Sequence, residues 1–81
     1  MSISELAQLG TDLAFDGIGG HEPAVRDVVR AARRAAVSPV LTDILADPRQ
    51  PEVARLRAYG RIAVRLAALD ARQPAATPHA A

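Results

Sequence analysis

No cysteine occurs among the 81 residues. That excludes disulfides, thiolate metal sites and thiol nucleophiles. Lysine is missing as well, so all ten basic residues are Arg. Abundant Ala with Arg in place of Lys matches a GC-rich coding bias, so the choice of Arg carries no functional signal by itself. Trp is absent, and Phe15 and Tyr59 are the only aromatics, too few for a base-stacking platform on single-stranded nucleic acid. The two His, His21 and His79, stand far apart, which argues against a metal cluster. No apolar run reaches the length of a membrane span. The N-terminus has neither a basic leader nor a continuous apolar segment, so a cytoplasmic location is expected, with no membrane partner. No nucleotide-binding or metal motif is present, and no cofactor is expected.

What is present is helical pattern. The expectation is an all-α, compact four-helix bundle-like domain over residues 1–72, with helices of medium, medium, short and long length. Residues 73–81, QPAATPHAA, lack large apolar side chains and are expected to form a flexible tail. Chains this short bury little core and often need a staple. With disulfides and metal excluded, association is the staple that remains.

The longest helix is predicted over Pro51–Arg72, with Pro51 at its first position. At about 100° per residue its apolar side chains, from Val53 and Leu56 to Val64 and Leu69, cover an arc of roughly 220°, about twice the stripe of an ordinary surface helix. The helix is therefore either central, with neighbours on several sides, or it meets a second copy of itself or another subunit. The expected interface is Leu56, Tyr59, Gly60, Ala63, Leu66 and Ala67, with Tyr59 as anchor. The same six residues fit the core of one chain equally well. The rest of the arc holds Arg57, Arg61, Arg65 and Arg72, with Ala54, Ala58 and Ala68 between them; the first three Arg share one ridge by their spacing of four.

Helix 1 is predicted over Ile3–Ala14. Ser2 and Glu5 have capping-box spacing, and Ile3, Leu6, Ala7, Leu9, Gly10, Leu13 and Ala14 gather on one face. Asp16-Gly17 ends it, with Gly expected in the left-handed helical region. The loop DGIGGH follows. Gly17, Gly19, Gly20 and His21 lead into a helix N-terminus and form a candidate anion cradle, although no P-loop Lys follows. The plainer expectation is a flexible connection in which Ile18 plugs into the core. Helix 2 is predicted over Pro23–Ala36, with Val25, Val28, Val29, Ala32, Ala35 and Ala36 inward and Arg26, Arg30, Arg33 and Arg34 outward. Ser38 is the expected cap of helix 3, Pro39–Ala46, with Val40, Leu41, Ile44 and Leu45 buried and Thr42 and Asp43 outward. Helices 1 and 2 are expected on the long helix, with helix 3 capping an end.

Net charge is +1, which argues against strong non-specific attraction to nucleic acid. Its distribution is uneven. Met1–Ala24 carries Glu5, Asp12, Asp16 and Glu22 and no base. Val25–Val37 carries four Arg against Asp27.

No catalytic residue is assigned. His21 beside Asp16 and Glu22 is the only local titratable cluster, and it reads as a turn. Asp43 and Asp47 lack a third ligand. The expected function is a small non-enzymatic protein-protein interaction or regulatory protein, associating as a homodimer through its long helix. The alternative is a nucleic-acid-binding regulator gripping phosphates with Arg26, Arg30, Arg33, Arg34, Arg57, Arg61 and Arg65. A helix-turn-helix role for helices 2 and 3 is disfavoured, because helix 3 has no Arg, Asn or Gln to read base edges.

Overall fold

A computed structural model describes residues 2–72. The tail expected beyond Arg72 lies outside the described residues. Four α-helices and one 3-10 turn follow in order, with no strand among the described residues: α1 (Ile3–Asp16), the turn Ile18–His21, α2 (Glu22–Arg34), α3 (Pro39–Ala46) and α4 (Glu52–Arg72).

α1 begins on the predicted capping box. The Ser2 hydroxyl accepts the Glu5 N–H at 3.1 Å, and the Glu5 carboxylate accepts the Ser2 N–H at 2.8 Å. That backbone donor, followed by the Ser2 hydroxyl, holds the Glu5 carboxyl below its usual range. Leu6, Leu9 and Leu13 form the buried stripe, while Ala7 and Ala14 face solvent and Ile3 is half exposed. Gly17 ends the helix with φ 82° and ψ 164°, an extended conformation at positive φ that is essentially restricted to Gly. The left-handed helical geometry expected there is not what forms. The following Ile18-Gly19-Gly20-His21 is a 3-10 turn with Ile18 fully buried, so the Gly-rich connection is an ordered element.

α2 buries Val25, Val28, Val29 and Ala32. It stops two residues short of its predicted end, leaving Ala35 and Ala36 exposed. Ala36 has φ 57°. Its N–H donates to Arg33 O at 3.2 Å, and the Val37 N–H donates to Ala32 O at 2.9 Å. These two bonds are a Schellman cap, here built on Ala where Gly is usual, with Val37 buried over Ala32.

α3 differs from expectation on two residues. Thr42 is buried and Val40 is exposed. The Thr42 hydroxyl donates back to Pro39 O at 3.0 Å and Ser38 O at 3.3 Å, so its one polar group is satisfied locally and can leave water. Ser38 caps through its carbonyl, which also accepts the Thr42 N–H at 3.1 Å, and not through its hydroxyl.

The arrangement of helices also departs from expectation. α3, expected to cap an end, packs most extensively on α4; α1 lies on another side of α4, and α2 folds back on α3. α1 runs antiparallel to α4, because the Tyr59 hydroxyl donates to Leu6 O near one end while Gly17 faces Glu52 near the other. Gly10 lies against the Tyr59 ring, and a Cβ there would stand 3.4 Å from Cε2. In α4, Ala58, Tyr59 and Ile62 are buried, so Ala58 leaves the solvent side assigned to it. Val53 and Val64 leave the apolar side and are 58% and 70% exposed. No helix among the described residues is long and apolar enough to cross a membrane.

Candidate functional site

The expected interface divides between the inside and the outside of a single chain. Tyr59 is 4% exposed, and burial pushes its hydroxyl pKa up. Leu56, Ala63 and Leu66 are partly buried against the same core. Tyr59 is therefore a core residue and is not free to anchor a partner. Of the six residues only Gly60 is fully open to solvent, while Leu56, Ala63, Leu66 and Ala67 are intermediate. The outward face of α4 is instead Val53, Arg57, Gly60, Val64 and Ala67, spaced 4-3-4-3. Nothing lies within 4 Å of where a Gly60 Cβ would sit.

Arg57 within this face and Arg61 and Arg65 next to it are exposed. None has a carboxylate within ion-pair distance among the described residues. On α2, Arg30 pairs with Asp27 at 3.2 Å, and Arg33 lies 3.7 Å from Asp43 on α3. Arg26 and Arg34 have no such partner among the described residues. The two basic sets line different clefts. Arg65 borders a shallow groove with Ala35–Val37 and Leu69. Arg26, Arg30 and Arg33 border a second cleft of about 260 Å³, lined also by Val25, Val29, Ala46, Glu22 and Arg55.

The charged residue that does most inside the fold is Arg55, which helical pattern alone did not single out. It is 5% exposed. Its Nε and Nη2 donate to Leu45 O at 3.0 and 2.8 Å. Its Nη1 and Nη2 donate to the two Glu22 carboxylate oxygens at 3.0 and 3.2 Å. One planar fork thus satisfies a carbonyl at the α3 C-terminus and a carboxylate in the first turn of α2, where the helix dipole also favours negative charge. The Arg55 guanidinium holds the Glu22 carboxyl below its usual range. The missed signal was available: Arg55 precedes Ala58, Tyr59 and Ile62 by three, four and seven residues, which places a charge at the centre of the buried stripe.

The candidate anion loop is surrounded by acids. A Cβ on Gly17 would stand 3.3 Å from a Glu52 carboxylate oxygen, and His21 Nε2 lies 3.0 Å from Asp16 Oδ2. Carboxylates at these positions oppose a phosphate. The Thr11 and Thr42 hydroxyls are engaged by backbone carbonyls, and the Ser2 hydroxyl by its cap. Asp43 turns to Arg33, while Asp47 accepts the Arg49 N–H at 2.9 Å. That backbone donor keeps the Asp47 carboxyl below its usual range. Among the described residues no group of three or more His, Asp or Glu could hold a metal ion.

No family model, curated protein or solved structure matches the chain.

Proposed function

We propose that this chain is a small non-enzymatic interaction protein, regulatory in kind, that contacts other proteins through the outward face of α4. The observation that carries the reading is the exposure of Val53 and Val64 around the open backbone at Gly60. Apolar side chains in a 3-4 spacing accept a facing helix, and a Gly between them lets the two backbones approach closely. The flanking Arg57, Arg61 and Arg65 favour an acidic partner, and like charges weigh against pairing this face antiparallel with itself. The homodimer expected through α4 also loses its anchor, since Tyr59 lies in the core.

A photo-crosslinking side chain at position 64, introduced in the native host, tests this. A discrete adduct at 64 but not at the exposed Gln8 on α1 is the expected result. Adducts at neither position sink the reading.

Arg57, Arg61 and Arg65, which have no ion-pair partner among the described residues, support a second reading, phosphate contact with nucleic acid. Binding random duplex DNA through three phosphates gives a salt slope of about −2.7. No binding at low salt ends that alternative.

A further inference from the structure

Phe15 is 85% exposed, on the side of α1 turned away from the core. It is one of two aromatic residues in the chain, and the other is buried. Asp12 and Asp16 stand beside it in sequence; Asp12 accepts from Gln8 Nε2, and Asp16 lies 3.0 Å from His21 Nε2. The α2–α3 cleft has the opposite character. Val25, Val29 and Ala46 line it together with Arg26, Arg30 and Arg33 and the paired Glu22 and Arg55. No α1 residue lines it, so Phe15 does not enter the cleft of its own chain.

We propose that the cleft receives Phe15 of a second copy of this chain, with Asp12 and Asp16 of that copy set against Arg26, Arg30 and Arg33. The size is suitable: a cavity of about 150 Å³ holds benzene, and this cleft offers about 260 Å³. The charge is complementary: two carboxylates stand beside the ring, and four Arg line the cleft against one carboxylate, Glu22, which Arg55 holds. The placement is suitable as well. The C-terminus of α1, which carries Phe15, is joined to α2, which lines the cleft, through the short Ile18–His21 turn. A twofold axis beside that turn lets each copy insert its Phe15 into the other, which closes the assembly as a dimer. The proposal rests on reading the chain as an interaction protein, and it leaves the α4 face free for a different partner.

Sedimentation equilibrium of the full chain tests it, with three variants beside the wild type. Wild type should dimerise, more weakly as salt rises. Phe15→Ala, and Arg26→Glu combined with Arg30→Glu, should each weaken dimerisation by at least about tenfold. Circular dichroism should show both still folded, since all three positions are exposed. Mixing the two variants should give a heterodimer tighter than either variant's homodimer, because it keeps one of the two Phe15–cleft contacts. The third variant, Val64→Glu, should dimerise as wild type does. A wild type that is monomeric at all concentrations overturns the proposal. So does a dimer indifferent to the Phe15 and Arg changes, and so does failure of the mixture to associate more tightly than either variant alone. A dimer broken only by Val64→Glu overturns it too, while supporting the α4 reading. Conversely, a Phe15-dependent dimer with no adduct at position 64 would retain this contact and sink the α4 reading.

Discussion

Two residues affect stability more than their types suggest, one as a cost and one as a support. Ala36 sits at φ 57°, a conformation that is costly for L-residues and open to Gly. Ala36→Gly should therefore stabilise the fold by about 0.5–1 kcal/mol, after the added freedom of the unfolded chain is deducted. A rise in Tm of several degrees is the readout. Arg55 works in the other direction. Arg55→Ala strips the Leu45 carbonyl and the Glu22 carboxylate of their donors and leaves a void. It should cost roughly 2–4 kcal/mol in urea unfolding, a large part of what a domain of this size has. Glu22→Gln should cost only about 1 kcal/mol, because the Glu22 side chain is 37% exposed and water screens the pair. A larger loss for Glu22→Gln than for Arg55→Ala would contradict this assignment.

At the scale of elements, α4 shows what pattern can and cannot reveal. Its existence, its length and the start of α1 at the capping box were legible, because caps and a 3.6-residue period are local properties. The division of its apolar arc was not. A period reports which residues share a face, and not which part of that face a neighbour covers. Tyr59 and Val64 thus looked alike in sequence but ended as core and surface. The exchange of α2 and α3 has the same origin, since each helix shows one apolar stripe and nothing names its neighbour. The place of Arg55 in the buried stripe was legible from its spacing, but its carboxylate partner, 33 residues away, was not. Thr42 escaped because its hydroxyl turned back onto its own helix. The α4 assignment makes a paired prediction. Val64→Glu should change unfolding stability by less than about 0.5 kcal/mol. Tyr59→Phe, which removes only the hydroxyl bonded to Leu6 O, should cost about 1 kcal/mol. Reversal of that order by denaturant titration would put α4 the wrong way round.

For the molecule as a whole, stability should depend on pH at both ends of the scale. Glu22, Glu5 and Asp47 all titrate below their ordinary values in the fold, through donors from Arg55, Ser2 and Arg49 respectively. Their contribution is complete above the unfolded-chain range near 4 to 4.5 and is lost as pH falls through the lower folded values. Tyr59 is raised by burial, so its neutral form is the folded one. Stability should then decline as pH climbs from about 10, where the unfolded chain begins to lose that proton. Melting temperatures flat from pH 5 to 9 and falling outside that window are expected, and Tyr59→Phe should remove much of the alkaline fall. The Arg55 fork has a further consequence in the order in which the protein opens. α2 rests mainly on α3 and the short turn before it, with little direct contact to α4. The Glu22–Arg55 pair is therefore a direct bridge from α2 to the longest helix. Hydrogen exchange of the wild type should show α2 amides protected nearly to the level of α3 and α4. In Arg55→Ala the α2 amides should exchange through a separate, lower-energy opening while those of α4 stay slow, so that one cooperative unit becomes two.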